Sequence, residues 1–340
     1  MKQINFLILV LVALLASCSS KTETKRSMLT LPDPTVIVPE ELSYDLVMSP
    51  PLEIKTFGDY LIFTQPMMGK SLLFYNRITG QQNYWGTGGS GPDDFMSASC
   101  IYQNEKDSII KLYETNLRKM VEFKLSSQDN SVSLISKKRY RVQTDTISIL
   151  GLHQMENGYY VSHAAFGSKK MFVLFDKDLK VLKTFGSKPI EEMPDGNYTY
   201  LYGWFASSGN KLFFAAQPTG YLVSFDISDS GEVAKDWEIS FTEPKYETSA
   251  FNWTRENKRG FYDIQTNDKY VFLSFSGKTY EDDDVMPQSI LILNHEGKLT
   301  KHLKYDQDYA LGKFALSGDS IYAIAHDRIT RFNWKKEMKR

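Results

Sequence analysis

A turn followed by an apolar run of β-forming residues recurs six times along this chain, and that repeat limits the architecture more than any other feature. The copies are Gly58-Asp59-Tyr60-Leu61-Ile62-Phe63, Lys106-Asp107-Ser108-Ile109-Ile110, Asn157-Gly158-Tyr159-Tyr160-Val161, Gly209-Asn210-Lys211-Leu212-Phe213-Phe214, Asn267-Asp268-Lys269-Tyr270-Val271-Phe272 and Gly318-Asp319-Ser320-Ile321-Tyr322. Their anchors Asp59, Asp107, Asn157, Asn210, Asp268 and Asp319 are separated by 48, 50, 53, 58 and 51 residues. Asp, Asn and Gly suit tight hairpin turns because they tolerate positive φ and can bond their own backbone. A second run follows each anchor, as in Leu72–Tyr75, Met120–Phe123, Phe172–Phe175, Leu222–Phe225, Ile290–Leu293 and Ile329–Phe332. A third run often comes next, and a further one precedes each anchor, which makes about four short strands per unit. Several runs are apolar at successive positions, so their strands must be covered on both faces. Sheets stacked around an axis do this, and a period near fifty residues belongs to propellers. The expected fold is all-β, a six-bladed β-propeller over residues 35–340. A pair of β-sandwiches or a seven-blade count are the competing architectures.

Only two strands fit after Asp319. With Ala310–Leu316 they give blade six three strands. The early run Thr35-Val36-Ile37-Val38 is expected to supply the fourth and close the ring with an N-terminal strand, leaving fewer sheet edges exposed.

Residues 1–17 stand apart. Lys2 is followed by the ten-residue apolar run Phe6–Leu15, too short to span a bilayer as a stable helix. The run ends in Leu15-Ala16-Ser17-Cys18, which resembles a bacterial lipobox. That resemblance implies a signal peptide cleaved before Cys18, acylation of Cys18, and an outer-membrane lipoprotein of the cell envelope. It leaves open whether the body faces the periplasm or the exterior. The polar stretch 18–34 reads as a flexible tether. The other cysteine, Cys100, sits in a small-residue strand pattern and reads as an inert thiol.

The segment Trp85-Gly86-Thr87-Gly88-Gly89-Ser90-Gly91-Pro92-Asp93-Asp94-Phe95 resembles the glycine-rich link between blades in TolB-like six-bladed propeller lipoproteins, and NHL-type propellers carry a similar link. Phe185-Gly186-Ser187-Lys188-Pro189 is similar to a decayed copy two blades later. The resemblance implies a fold and an envelope address, and no activity.

Loop lengths are asymmetric. Turns between first and second strands, and between third and fourth, are short. The long connections run about 86–96, 186–199, 241–259 and 276–288. In a meandering blade these long ones emerge on a single side, and functional residues concentrate on such loops. That face would gather Asp93, Asp94, Tyr198, Tyr200, Trp253, Arg255 and Arg259 as candidate ligand-binding residues. Aromatic rings with arginine can stack on sugar or clamp a peptide carboxylate. The competing reading packs the tyrosines between blades and leaves the charges in solvent.

The chain carries 40 Lys+Arg against 41 Asp+Glu, a balance unlike that of a nucleic-acid binder. No G-x-S-x-G elbow, H-E-x-x-H or phosphate loop is present. No cofactor is expected. Asp282-Asp283-Asp284 offers hard oxygen ligands for Ca²⁺, but lacks the spacing of a calcium loop. The function read from the sequence is therefore a lipid-anchored envelope propeller that binds a peptide, glycan or protein partner on its long-loop face. A metal-dependent hydrolase or lyase and a structural scaffold of an envelope complex are the alternatives.

Overall fold

The computed structural model describes residues 27–42, 53–67, 69–89, 91, 94–95, 98–104, 108–115, 117–126, 131–139, 151–164, 168–189, 202–247, 250–251, 256–282, 286–306, 311–325 and 328–340. Six antiparallel sheets follow one another in chain order. From innermost to last strand, blade one runs Glu53–Phe57 to Gln82–Thr87, blade two Ala98–Asn104 to Val132–Arg139 and blade three His153–Gln154 to Val181–Phe185. Blade four runs Gly203–Ser208 to Val233–Ser240, blade five Phe261–Thr266 to Leu299–Tyr305 and blade six Leu311–Ser317 to Arg328–Asn333. The six-bladed all-β ring expected from the repeat is present. Each described anchor falls in the turn between a first and a second strand, where Gly58, Ser108, Gly158, Gly209 and Gly318 adopt positive φ.

The middle strands are apolar on both faces because each blade is sandwiched. Lys70–Asn76 and Tyr221–Ile227 are buried at nearly every position. Among the described residues the apolar core divides into six clusters, one for each seam between neighbouring blades. A bulge recurs between third and fourth strands in blades two to five, at Glu122/Phe123, Leu174/Phe175, Ser224/Phe225 and Ile292/Leu293. Bulges strengthen local twist, so the sequence repeat is also a geometric one.

The glycine-rich link acts as a clamp between blades one and two. Phe95 is buried in their seam, edge-on to Trp85 at 5.1 Å, and its N–H donates to the Thr87 carbonyl at 2.8 Å. Gly86 has φ +73°, and a Cβ there would press on Phe95 and on Ser71 at 3.2–3.3 Å. Gly186 has φ +77°, and its Cβ would meet Phe172 at 2.8 Å. The decayed copy thus keeps the one residue whose conformation and clearance are both demanding.

Ring closure differs from the expectation in which strand does it. Glu40–Leu42, and not Thr35–Val38, is the antiparallel fourth strand of blade six. Its register places Glu40 opposite Arg331 and Glu41 opposite Thr330, with Leu42 opposite Ile329. Glu40 pairs with Arg331 at 2.6 Å, and Glu41 pairs with Arg328. Exposed ion pairs add little stability, but opposite charges across a strand pair fix register. Thr35–Ile37 instead joins the outer edge of blade five in parallel, opposite Leu303–Tyr305, and buries Ile37 against blade six.

The described part of the 18–34 stretch is docked from Ser27 on. Ser27–Met28 runs parallel to Ile239–Ser240 at the edge of blade four, and Leu29 and Leu31 pack on the seam between blades four and five. His302 fastens the passage to blade five: its Nδ1–H donates to the Pro32 carbonyl at 2.8 Å, which leaves Nε2 to accept from the Ser289 hydroxyl at 3.0 Å. Residues 27–42 therefore form a strap across three consecutive blade edges. At the other terminus a short helix, α1 (Trp334–Met338), is capped by Asn333 and buries Trp334 in the seam between blades five and six.

Replacing Ile37 by Ala should lower stability by about 2–5 kcal/mol, the usual cost of emptying a buried aliphatic site. Denaturant unfolding checks this, with an unchanged m-value expected.

Candidate functional site

The axial channel is framed by the innermost strands, and hydrogen bonds link neighbouring blades around it. Gln103 Nε2 of blade two donates to the Thr56 carbonyl of blade one. Thr56 Oγ1 donates to the Leu316 carbonyl of blade six. His153 Nε2 of blade three lies 2.9 Å from Ser207 Oγ of blade four.

Chemistry collects where these strands begin. In a meandering blade that end opens on the face of the long connections. Glu53 and Lys55 come from blade one, His153 from blade three, Tyr202 and Trp204 from blade four, Tyr262 and Asp263 from blade five and Lys313 from blade six. Each lies within the first three residues of its innermost strand or just before it. Their charges act across the axis. Glu53 contributes to raising the Tyr202 hydroxyl, behind the larger effect of burial, and Lys55 contributes to lowering the His153 imidazole in the same way. Blade one is not a neighbour of blade three or of blade four, so these interactions span the channel.

Two bulges shape the mouth. The ladder skips Tyr262 in blade five and Gly312-Lys313 in blade six. The backbone groups at these bulges find partners across the seam. Lys313 Nζ donates to the Tyr262 carbonyl, and the Phe314 N–H donates to Asp263 Oδ2 at 3.2 Å. Asp263 Oδ1 also accepts from the Ile264 N–H at 2.9 Å. Lys313 Nζ stands 3.2 Å from the centroid of the Trp204 ring, a cation–π contact. Burial pushes the Lys313 ammonium down to about 8, against the attraction of Asp263 and Glu53.

Two donors at this mouth are buried and unpartnered, Trp204 Nε1 and Arg259 Nε. Arg259 is otherwise held in place. Its Nη1 donates to the Tyr262 hydroxyl at 2.6 Å, its guanidinium lies 4.5 Å over the Tyr280 ring, and its backbone pairs with Lys278 and Gly277. Buried polar groups in folded proteins have partners as a rule, so orphan donors ask for an explanation. Both atoms are sealed from solvent, as are ten other unpartnered side-chain atoms among the described residues.

Of the sequence candidates, Arg259 is brought to this cluster. Asp94 is engaged inside its own link, accepting from the Thr87 hydroxyl and from the Gly91 N–H at 2.8 Å, which together hold its carboxyl below the usual range. Its carbonyl accepts from Lys119 Nζ at 2.6 Å. Cys18, Asp93, Tyr198, Tyr200, Trp253 and Arg255 lie outside the described residues. Asp282 caps a turn by accepting from the Thr279 N–H and hydroxyl; Asp283 and Asp284 lie outside the described residues. Among the described residues no three His, Cys, Asp or Glu gather closely enough to hold a metal. Sequence reasoning missed Glu53, Lys55, Trp204, Asp263 and Lys313. Their signal is position: charged or aromatic residues at the start of strands whose other residues are apolar.

Elsewhere, a cavity of about 260 Å³ lies at the rim between blades one and two, lined by residues that include Tyr84, Trp85, Val132 and Leu134. It is a gap between outer strands, remote from the charged mouth. His163 is caged by Phe172, Phe205 and Phe214, which fits a structural role.

The chain matches the TolB-like 6-blade propeller-like family over residues 35–317. It belongs to that family. Among solved structures, it is similar to a Bacteroides fragilis protein assigned as exported, with 14% identity, a TM-score of 0.56, and coverage of 88% of this chain and 86% of the other. It is also similar to a luciferin-regenerating enzyme, with 10% identity, a TM-score of 0.50, and coverage of 86% and 94%. At such identity these likenesses show the fold alone. No curated protein is significantly similar to the chain in sequence.

Two pH responses follow. Burial holds His163 down to about 4 and His153 to about 3. The unfolded chain then binds more protons below about pH 6.5, so stability falls as pH drops from there to about 3. His163 alone accounts for about 3 kcal/mol of this loss; His163→Phe should flatten the profile, as read by denaturant unfolding at a series of pH values. Lys313 has the opposite window. Its charged form is disfavoured in the fold, so stability rises between about pH 8 and 10.5. After reductive methylation with ¹³C, one lysine resonance should titrate near 8 and be absent from Lys313→Met.

Proposed function

We propose that this protein is a lipid-anchored propeller of the cell envelope that captures a partner segment at the axial mouth of its long-connection face. The observation that carries the reading is the Lys313 ammonium over the Trp204 ring, which stands against the exposed Tyr202 ring, with Arg259 bonded to Tyr262 of the adjoining blade. Tyr202 is 49% exposed and stands edge-on to Trp204 at 5.3 Å. A cation next to exposed aromatic surface suits a chain that carries a carboxylate and a flat or apolar group, such as an acidic peptide segment. The connections holding Tyr198, Tyr200, Trp253 and Arg255 flank Tyr202 and Arg259 in sequence, which makes those residues candidates for the rim of the same surface.

The address rests on the lipobox ending at Cys18 and is supported by membership of the TolB-like family. No helix among the described residues is long and apolar enough to cross a membrane, so lipid on Cys18 is the proposed anchor.

Photo-crosslinking in the native cell tests the site. A benzophenone amino acid in place of Tyr202 should yield a discrete partner adduct, whereas one in place of Ile78, in the short turn between third and fourth strands of blade one, should not. The adduct should fade when Trp204→Ala and Lys313→Met are combined with it. Equal adducts from both positions, or persistence of the Tyr202 adduct in the combined variant, would remove the axial mouth as the binding surface.

A further inference from the structure

We infer that the strap rim of blades four to six is a lipid-docking surface, so that the propeller stands on its edge against the bilayer with the channel axis lying along the membrane plane. The inference rests on the proposed acylation of Cys18.

The first argument is reach. Nine peptide steps separate Cys18 from Ser27, where the strap is already hydrogen-bonded to blade four. Fully extended, nine residues span at most about 30 Å. An anchor at Cys18 therefore keeps the edge of blade four within about 30 Å of the headgroups, while blade one occupies the opposite side of the ring.

The second argument is what that edge displays. Met28, Val36 and Val38 are 52%, 54% and 75% exposed. Val36 and Val38 alternate with Ile37, which is buried, so both project away from the seam that Ile37 fills. Nothing in the strap's pairing demands an apolar residue at either outward position. Lys304 is the cross-strand partner of Val36, and of the strap's three acids, Asp33, Glu40 and Glu41, the last two are paired with Arg331 and Arg328. The leash from 18 to 26 adds Lys21, Lys25 and Arg26 against Glu23. Exposed aliphatic side chains beside a basic stretch match an anionic bilayer surface, where apolar groups settle into the headgroup boundary and cations meet lipid phosphates.

The test uses the full lipidated chain reconstituted into vesicles of phosphatidylethanolamine and phosphatidylglycerol doped with brominated lipid. An environment-sensitive fluorophore is attached at Val38→Cys in one sample and at Ile135→Cys in the other, both in a Cys100→Ser background. Ile135 is 48% exposed on the outer strand of blade two, across the ring from blade five. The expected result is quenching at position 38 by bromines about 5–10 Å below the surface, with none at 135. It should weaken when phosphatidylglycerol is replaced by phosphatidylcholine, and again in Met28→Ser/Val36→Ser. Near-ultraviolet circular dichroism establishes that each variant is folded. An acylated Cys18 by mass spectrometry with equal or absent quenching at the two positions overturns the docking surface and leaves the anchor standing. An unmodified Cys18 overturns both.

Discussion

Every blade in this ring is apolar on both faces, and that single fact governs the rest of the structure. A sheet such as Tyr221–Ile227 with its neighbours cannot satisfy itself against one partner layer; it needs a blade on each side. The six apolar seams therefore stand or fall together, and a gap anywhere would expose two faces to water. Closure of the ring is a requirement of the hydrophobic effect rather than an ornament of the topology.

Satisfying the faces leaves the edges. Each blade presents a last strand with free backbone groups to solvent, which is a template for unwanted pairing. Three of the six edges are covered by one continuous segment, residues 27–42, which pairs in parallel with blades four and five and antiparallel with blade six. The innermost strands pose the opposite problem. They are crowded at the axis, and the bulges there free backbone groups that have no ladder partner. Lys313 and Asp263 take up these groups across the seam between blades five and six. The residues that settle the backbone at the bulges also place an ammonium over an indole at the channel mouth, so the local packing solution and the candidate chemistry share the same atoms.

The repeat made most of the fold readable in advance. Turn residues at Asp59, Asn157, Asn210, Asp268 and Asp319, followed by unbroken apolar runs, state both the blade count and the strand order. The choice of closing strand was harder to read because Thr35–Val38 has the stronger β composition. The pairing follows other cues: Glu40 and Glu41 find Arg331 and Arg328, while Ile37 finds an apolar slot in the seam between blades five and six. The acidic pair and the basic pair were both visible in the sequence, but their pairing depends on a contact between opposite ends of the chain. The candidate site was legible as a face and not as a set of residues. Loop length marked one end of the channel, and Arg259 lies next to the innermost strand of blade five at that end. Trp204, Asp263 and Lys313 sit inside strands, Asp263 and Lys313 at bulges and Trp204 in a regular ladder, so no loop length marks them.

Closure by residues 40–42 against 328–331 also sets an order of events. Almost the entire chain must be made before Glu40 and Glu41 can meet Arg331 and Arg328, a sequence separation of 287 to 291 residues. Contacts that distant are slow to form, because a long loop must close before they contribute. Until the latch shuts, blade six lacks its outer strand. A clasp whose two halves lie so far apart in sequence ties completion of the ring to the presence of nearly all of the strands between them.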